Sequence, residues 1–372
     1  MKKIIIIRSN PVDPDSRVEK EAYSLIKGGY DVSLVVWDRE HNHTSIDKKD
    51  ILDVSLDRYR IGARSTYGEG VKNLKAFLIF QLCIAKFLIK NHSKYDYIHA
   101  CDFDTAFTTS ICALILRKKY VFDIFDYLAT EPKTIFEKVV NNLEHWIINH
   151  AAATIICTEK RKEQIQGSKP KKLEIIHNSP AKIKFQHVEL KSKSSKIRLV
   201  YVGVFQDYRL LKELIDAVAK MQNVELHIGG FGKLENYIKD FADKSNNIFY
   251  YGKLSYPETL SLESQADIMT AIYDPQIGNH KFAAPNKFYE ALFLGKPLIM
   301  VKGTGMSQEV QDNDLGILID YDENSFVNGV RALIDRKKDW SQISRRMKNL
   351  YNEKYSWEKM STRLVSLYDH LN

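Results

Sequence analysis

Short apolar runs alternate with helical stretches in the first half of this chain, and few folds accept such a pattern. A polar loop over residues 9–17 precedes a predicted helix, Val18–Lys27, that ends at Gly28-Gly29. Regular β–α alternation predicts a doubly wound α/β sheet with helices on both faces. The predicted strands are Ile4–Ile7, Tyr30–Val36, Tyr97–Cys101, Tyr120–Ile124, Ala153–Cys157 and Leu173–Ile176.

The alternation stops over Asn178–Arg198 and then restarts. Ser179-Pro180 breaks regular structure, and Lys191–Lys196 is a polar, basic loop, so a domain boundary is expected here. A chain of 372 residues is also longer than one typical core. The second set of predicted strands is Arg198–Gly203, Val224–Gly229, Ile248–Tyr251, Ile268–Tyr273, Pro297–Val301 and Gly316–Ile319, with helices over Arg209–Met221 and Leu234–Lys244.

The cysteines and the first residues limit the class of protein. Cys83, Cys101, Cys112 and Cys157 are scattered without a C-x-x-C pair, which indicates buried thiols in a reducing cytoplasm, neither a zinc site nor a disulfide frame. The apolar run that ends at Ile7 is too short for a targeting segment and predicts a first strand.

The net charge of +8 is concentrated in one segment. Within it, Val71–Lys90 interleaves apolar residues with lysines that argue against a membrane span. Such a helix can lie on an anionic membrane surface, or it can be a core helix with a solvated basic edge. No nucleic-acid-binding signature accompanies the charge. The segment carries Arg58, Arg60, Arg64, Lys72, Lys75, Lys86, Lys90 and Lys94 against the single acid Glu69.

The stretch Ala284–Pro297 combines helix boundaries with charged residues. Asn286 is predicted to cap a short helix and Gly295 to end it. Because a helix N-terminus presents unpaired N–H groups and partial positive charge, it can bind a phosphate or diphosphate. Lys287, at the predicted first helical position, would add a full positive charge there.

Glu290 lies three residues after Lys287, so the two side chains share one helix face. A carboxylate there could accept hydrogen bonds from the vicinal hydroxyls of a ribose. The alternative is a solvated Lys–Glu pair on an exposed helix. The helix boundaries and the aromatic pair Phe288-Tyr289 favour a nucleotide-sugar site.

Further glycines follow predicted strands of the second domain. Gly203 ends one strand, and Arg209 follows within reach. Gly230 and Gly232 follow the next strand and are predicted to open a helix. A turn is the commoner reason for a glycine after a strand, but a glycine also lets a ligand approach the backbone. With Lys287, these residues predict a ligand site at the carboxyl ends of the strands.

The order of these motifs resembles glycosyltransferase family 4, the retaining sugar transferases of GT-B fold, over essentially the whole chain. In the first half the similar segments are NPVDPDSRVEKEAYSLIKGGYDV and YDYIHACDFDT. In the second half they are LVYVG, LLKELIDAV, HIGGFGKLE and APNKFYEALFLGKPLI, the last resembling the distal half of the family's E-x₇-E motif. The ending YNEKYSWEKMSTRLVSLYDHL is similar to the family's terminal helix.

This resemblance implies an architecture of two Rossmann-like, doubly wound domains that face each other across a cleft. The acceptor would bind the N-terminal domain, residues 1–180, which the terminal helix over 356–372 rejoins. The nucleotide-sugar donor would bind the C-terminal domain, residues 181–355.

The resemblance also implies roles for individual side chains. Arg209 and Lys287 would stabilise the charge that develops on the leaving diphosphate, so that no metal or other cofactor is required. The donor-binding set is Gly203, Arg209, Gly230, Gly232, Asn286, Lys287 and Glu290. The acceptor-side set is Arg17, His99 and Asp126, and the catalytic set is Asp126, Arg209 and Lys287.

Three positions depart from the family's pattern. Val204 stands where the first basic residue after the glycine is usual, while the second basic position is kept. Phe282 stands at the first glutamate of E-x₇-E, and Phe125 stands where a histidine is often found. Lys287 and Asp126 could take part of the missing roles.

The resemblance predicts an enzyme that moves a hexose-type sugar, with retention, from an NDP-sugar to a glycan or lipid-linked acceptor. It implies bacterial surface polysaccharide or capsule synthesis, in the cytoplasm or on the inner face of the cell membrane. The two phenylalanines leave open a second class, a catalytically silent binding subunit of the same fold. A sugar-nucleotide 2-epimerase shares the architecture and is a third possibility.

Overall fold

The computed structural model describes residues 1–66 and 70–371. Two residues of the predictions lie outside the described residues: Glu69, the acid of the basic segment, and Asn372, the end of the returning helix. The chain divides into two compact units: unit 1 is Met1–His177 with Met360–Asn372, and unit 2 is Asn178–Lys359. The predicted boundaries, at 180 and 355, lie a few residues away.

The strands of unit 1 form one sheet in the order β3-β4-β2-β1-β5-β6-β7-β8. The hairpin pair β3 and β4 is antiparallel, and the other neighbouring strands pair in parallel. These strands are β1 Lys3–Arg8, β2 Asp31–Asp38, β3 Ser45–Ile51, β4 Val54–Gly62, β5 Tyr97–Cys101, β6 Lys119–Ile124, β7 Ala153–Ile156 and β8 Leu173–Ile175.

The predicted strands do not include the hairpin β3–β4. β3 reads SIDKKDI and lies at the edge of the sheet, where charged side chains can face water. Charge pairs hold it: Arg58 on β4 donates to both carboxylate oxygens of Asp47, at 2.8 and 2.7 Å. The apolar periodicity that marks a buried strand is therefore missing.

Helix α2 contributes one face to the core of unit 1. Ala76, Phe80, Ile84 and Leu88 are buried on it, and the Phe80 ring stacks on Trp37 with centroids 4.6 Å apart. This face is an ordinary core face, as one of the two interpretations expected. The helices of unit 1 that precede the second unit are α1 Ser16–Lys27, α2 Leu74–Lys90, α3 Phe103–Leu116, α4 Ile135–His150 and α5 Arg161–Gln164.

Unit 2 has a parallel sheet in the order β11-β10-β9-β12-β13-β14. Its strands are β9 Ile197–Phe205, β10 Val224–Gly232, β11 Ile248–Tyr250, β12 Ile268–Ala271, β13 Leu298–Val301 and β14 Gly316–Ile319. Its helices are α6 Leu211–Ala219, α7 Glu235–Ala242, α8 Tyr256–Ser264, α9 Asn286–Leu294, α10 Ser307–Asp312, α11 Glu323–Asp335 and α12 Trp340–Leu350.

Two strands of unit 2 continue past their predicted ends. Gly203 lies inside β9, and Gly230 and Gly232 lie inside β10, so they neither end the first strand nor open a helix. Gly230 and Gly203 are register partners, and a Cβ at Gly230 would collide with the Gly203 carbonyl oxygen. Glycine is needed here because the two backbones approach closely, which explains why the pattern resembles a turn.

The boundaries of α9 confirm one expectation and correct another. Gly295 follows the helix in the left-handed conformation, with φ +69°, and ends it as predicted. At the other end the N-cap is Pro285, and Asn286 is the first helical residue without a side-chain cap bond. Lys287 is consequently the second helical residue. Pro285 has the extended backbone of an N-cap residue but no side-chain acceptor, so it provides no side-chain cap for the first N–H groups of α9.

The last helix, α13 Trp357–Asp369, returns to unit 1. The Tyr30 hydroxyl donates to Asp369 at 2.6 Å, and the Tyr368 hydroxyl lies 2.8 Å from Nδ1 of His99 on β5. The prediction of two Rossmann-like units with a returning C-terminal helix is therefore confirmed. Over residues 1–66 and 70–371, none of the helices has the length and apolar character needed to cross a membrane.

Glu144 on α4 holds the loop that follows β6. Its buried carboxylate accepts hydrogen bonds from the backbone N–H groups of Leu128, at 3.0 Å, and Ala129, at 3.1 Å. Burial nevertheless dominates and raises the pKa of Glu144 to about 7. The folded protein therefore retains this proton over a pH range in which the unfolded chain has lost it.

We expect stability to depend on pH through this group. Because the folded pKa is raised, the wild type loses stability as pH rises from about 4.5 to 7, by up to roughly 3 kcal/mol. Glu144→Gln cannot titrate at this position. Its free energy of unfolding, measured with urea, should therefore rise relative to that of the wild type between pH 5 and pH 8. Glu137→Gln, on the same helix, is the control: the backbone N–H of Thr134 lowers the pKa of Glu137, so its difference from wild type should stay constant. A constant difference for Glu144→Gln would show that Glu144 ionises normally.

Candidate functional site

Lys287 lies in the first turn of α9 and extends to the carboxyl end of β9. Its ammonium is 4.7 Å from the centroid of the Tyr201 ring. A Cβ on Gly203 would lie 2.6 Å from Lys287 Nζ and 3.5 Å from Cε. The missing side chain at position 203 therefore provides the space that the ammonium occupies.

Arg209 follows β9 and is held by an aromatic side chain from another strand end. Its guanidinium stacks on Tyr273, with Cζ 3.8 Å from the ring centroid, and Nη1 lies 3.5 Å from the carbonyl oxygen of Ile272. Both Arg209 and Lys287 act electrostatically on the buried Tyr201 hydroxyl. The structure thus brings the two predicted cations of this unit to one place.

Lys287 remains positively charged despite its surroundings. Burial favours its neutral form, but the phenol groups of Tyr201 and Tyr273, with Glu290, outweigh this and raise the pKa of Lys287 above its ordinary value. Arg209 acts in the opposite direction because it is also a cation. Two cations at the carboxyl edge of a parallel sheet form a site that attracts an anion.

Glu290 is buried, with only 4% of its surface exposed. It faces helix α8. Burial raises the pKa of the Tyr256 hydroxyl, and Glu290 raises it further through its charge and a hydrogen bond. Burial and the nearby Glu290 also raise the pKa of Glu263 well above its ordinary value. The alternative of a solvated Lys–Glu pair is therefore wrong. The sequence gives no sign of Tyr256 and Glu263, because they come from a helix far from α9 in the chain.

The position of the missing motif glutamate belongs to a 3₁₀ turn, Gly278–Phe282, in which Phe282 is buried. His280 in this turn places Nδ1 2.8 Å from the Asp274 carbonyl oxygen, and its ring lies 5.2 Å from that of Tyr273. His280 therefore adjoins the aromatic ring that holds the Arg209 guanidinium. Sequence comparison could have drawn attention to it, since it lies two residues before the missing glutamate.

The other donor-side glycines and Asn286 surround the same strand ends. Asn286 is exposed at the start of α9. A Cβ on Gly232 would lie 2.7 Å from the Phe205 carbonyl oxygen, so this glycine serves the close pairing of β10 with β9. The close pairing of β9 and β10 therefore accounts for these glycines, independently of any ligand that they approach.

In unit 1, Asp126 is the predicted acceptor-side residue that faces water. Its side chain is 74% exposed and pairs with Arg161 Nη2 at 3.1 Å. Its backbone N–H donates to Asp102 Oδ1 at 3.0 Å, and the N–H of Phe125 donates to the same oxygen at 2.8 Å. Asp102 thus fixes the loop on which Asp126 is presented.

Arg17 and His99, the other two acceptor-side residues, are buried within unit 1. Arg17 donates to Asp123 at 2.9 Å and to the Ile176 carbonyl at 2.7 Å. His99 Nε2 lies 3.3 Å from Asp123. Burial works against ionisation of Asp123, but Arg17 and His99 outweigh it and hold the pKa of Asp123 below its ordinary value. Arg17 and His99 therefore belong to a buried network of charged side chains within unit 1, and an acceptor contact by either residue stays a prediction.

Phe125, at the position where a histidine is expected, lies between two arginines. The guanidinium carbons of Arg8 and Arg17 are 4.4 and 4.7 Å from its ring centroid. Arg8 also forms ion pairs with Asp15, at 2.9 Å, and with Asp102. Arg8 and Asp102 are absent from the predicted site, although Arg8 ends β1 and Asp102 directly follows β5 at the carboxyl edge.

Among the described residues, the ligand atoms of Glu21, His99 and Asp123 lie within 4.8 Å of one another, close enough to hold a metal ion. Arg17 already supplies positive charge to both carboxylates, since Nη2 is 2.9 Å from Asp123 and Nε is 3.1 Å from Glu21. We therefore interpret this group as an ion-pair network. That the reaction requires no metal stays a prediction.

Known proteins resemble this chain in part of its sequence and in its whole fold. Residues 196–336 match the family model described as Glycosyl transferases group 1. None of the curated proteins compared with this chain matches it. Sucrose-phosphate synthase from Thermosynechococcus elongatus is 16% identical, with a TM-score of 0.77 over 100% of this chain and 99% of that chain.

Two further solved structures cover the chain as completely. Anabaena HepE in complex with UDP-glucose is 14% identical, with a TM-score of 0.71 over 99% of this chain and 100% of that chain. The catalytic domain of starch synthase IV from Arabidopsis thaliana, bound to ADP and acarbose, is 14% identical, with a TM-score of 0.68 over 100% of this chain and 99% of that chain. At such identities the likeness shows the fold. The chain thus has the GT-B fold, residues 196–336 of unit 2 match the Glycosyl transferases group 1 model, and the prediction of a glycosyltransferase is confirmed at the level of that match.

Proposed function

We propose that this chain is a retaining glycosyltransferase that moves a hexose-type sugar from an NDP-sugar to a glycan or lipid-linked acceptor. One observation carries the proposal: the Lys287 ammonium occupies the space left by Gly203, beside Arg209, at the carboxyl edge of unit 2. Such a pair of fixed cations can bind a diphosphate, and the adjacent N-terminus of α9 adds N–H donors.

The nucleotide part of the donor is assigned to the same helix. Glu290 lies one turn beyond Lys287 on α9, and its carboxylate can accept hydrogen bonds from the ribose hydroxyls. The fold neighbours HepE and starch synthase IV bind UDP-glucose and ADP, which supports a nucleoside diphosphate here without identifying the base.

Transfer is proposed to proceed with retention, as the resemblance to glycosyltransferase family 4 implies. The bond between the sugar C1 and the diphosphate oxygen breaks, and C1 bonds to the acceptor oxygen on the same face. The acceptor proton passes to the departing diphosphate. Arg209 and Lys287 stabilise the growing negative charge, so a metal ion is not needed, and Asp126 in unit 1 is assigned to the acceptor.

The acceptor is proposed to belong to bacterial surface polysaccharide or capsule, carried on a lipid at the cytoplasmic face of the membrane. The basic helix α2 supports this place of action because it attracts an anionic leaflet. The proposed family is glycosyltransferase family 4, because segments in both halves of the chain resemble its motifs.

A catalytically silent binding subunit is the second candidate. Phe125, held between Arg8 and Arg17, occupies the place of a reaction-centre histidine. Nucleoside diphosphate release from UDP-, GDP- and dTDP-hexoses, with and without acceptor, separates the candidates. A transferase releases the diphosphate faster when acceptor is present, a silent subunit releases none, and a 2-epimerase interconverts the sugar without acceptor.

Removing either cation should slow turnover more than it disturbs folding. Lys287→Ala and Arg209→Ala should each lower kcat by about 10²- to 10³-fold, because charge on the diphosphate is largest in the transition state. Lys212→Ala removes an exposed lysine from α6 of the same unit and should leave kcat unchanged. Wild-type kcat in Lys287→Ala, measured by nucleoside diphosphate release, would defeat the site assignment.

Glu290→Gln should weaken binding of the nucleoside diphosphate by roughly 1–3 kcal/mol, the worth of charge-assisted hydrogen bonds to ribose. Titration calorimetry measures this. Tyr256→Phe is the matched control, because it removes the internal hydrogen bond of Glu290 and keeps the carboxylate. If Glu290 acts on α8 alone, both variants will lower the unfolding temperature and neither will change the affinity.

A further inference from the structure

Helix α2 has an outward face that its core packing does not use. Ala76, Phe80, Ile84 and Leu88 point into unit 1, and the opposite side carries exposed apolar residues. Leu82 is the most exposed of them, at 71%. A soluble surface helix normally exposes polar residues there, so this face requires an explanation. The exposed apolar side chains of α2 are Leu74, Leu78, Ile79, Leu82 and Ile89.

The neighbouring helices extend this apolar surface. α3 packs against α2, and its exposed apolar residues near the C-terminus are Ile111, Leu114 and Ile115, the last 73% exposed. α4 packs against α3 and begins with the exposed pair Ile135 and Phe136. The three helices contribute to one core, so their exposed side chains lie on the side away from the sheet.

Positive charge is interleaved with these apolar side chains. Lys75, Lys86 and Lys90 are exposed on the same face of α2 as Leu78 and Leu82. Arg117 is exposed at the end of α3. Over residues 70–94 the sequence has lysines and no acidic residue. Helices that rest in the interfacial layer of a bilayer combine these two features, since lysines meet lipid phosphates while leucines enter the acyl boundary.

We propose that the outward face of α2 and α3 is a membrane-docking surface that inserts apolar side chains into an anionic leaflet. Charge complementarity favours an anionic lipid surface over a second copy of the chain. A second copy would bring the same lysines against their counterparts, whereas an anionic lipid surface neutralises them. The proposal deepens the proposed function by naming the partner surface of unit 1, and it rests on that function only for the identity of the acceptor. Docking would hold Asp126, on the same unit, near a membrane-borne acceptor.

Flotation with vesicles tests the surface on the full chain. The vesicles are phosphatidylcholine alone or phosphatidylcholine with phosphatidylglycerol, at low and high salt. The charge variant combines Lys75→Glu, Lys86→Glu and Lys90→Glu, and the apolar variant combines Leu78→Ser, Leu82→Ser and Ile115→Ser. Leu52→Ser is the apolar control, because Leu52 is 67% exposed on the β3–β4 turn. The charge control places three glutamates at Lys212, Lys239 and Lys244 of unit 2.

The wild type should bind vesicles with phosphatidylglycerol and should bind less at high salt, where screening shortens the range of attraction. The charge variant should lose at least about a hundredfold in partitioning at low salt. The apolar variant should lose roughly tenfold or more, including the binding that persists at high salt. Both controls should bind like the wild type.

Two results would overturn the proposal: a wild type that ignores anionic vesicles at low salt, or variants that bind like the controls. A wild type that self-associates in sedimentation, with a monomeric apolar variant and no vesicle binding, would make a second copy the occupant. The rise in unfolding temperature with UDP-, GDP- and dTDP-hexoses is measured on every variant and reports folding independently. If no donor raises that temperature in a wild type that binds vesicles, the proposed transferase fails while the docking surface stands.

Discussion

The space above Gly203 is the constraint on which the proposed chemistry of unit 2 depends. A Cβ at this position would lie 2.6 Å from the Lys287 ammonium, so a side chain here and the lysine cannot occupy their places together. Tyr201 lies beneath the ammonium and Arg209 lies beside it, held on Tyr273. The cations are therefore positioned before any ligand arrives, and a preorganised charge costs little reorganisation during reaction.

Unit 1 uses its charged residues differently. Arg17, His99 and Asp123 pair with one another inside the unit, Arg17 Nε lies 3.1 Å from Glu21, and Tyr368 joins the group through its hydroxyl. Breaking one partner would leave a buried charge uncompensated, which is strongly destabilising. This network ties the returning helix to the sheet, whereas Asp126 is presented to water on a loop fixed by Asp102. The buried network and the exposed Asp126, the proposed acceptor-side residue, thus lie along one sheet edge.

The sequence predicts the local features of this fold well. The β–α alternation locates the parallel strands, and Gly295 ends α9 as expected, because these signals depend on residues that are close in the chain. The charged edge hairpin β3–β4 is missed, since ion pairs such as Arg58 with Asp47 replace apolar periodicity.

The candidate site is less predictable because long-range contacts build it. Lys287 and Arg209 are found from spacing, but the burial of His99 depends on Tyr368 near the other end of the chain. Glu290 is predicted as a carboxylate on the same helix as Lys287, yet its neighbours Tyr256 and Glu263 come from α8. Local patterns identify which residues could act, and only the packing shows which of them are buried and which are exposed.

Titration calorimetry of the wild type with nucleotides tests the central claim most directly. UDP, GDP, dTDP and ADP would each be compared with the corresponding monophosphate, because the proposal places the diphosphate against both cations. The account predicts that one diphosphate binds with a single site per chain and at least about tenfold more tightly than its monophosphate, a difference of about 1.4 kcal/mol. A monophosphate that binds as tightly as the diphosphate, or the absence of binding by all four, would contradict a diphosphate site at Lys287 and Arg209.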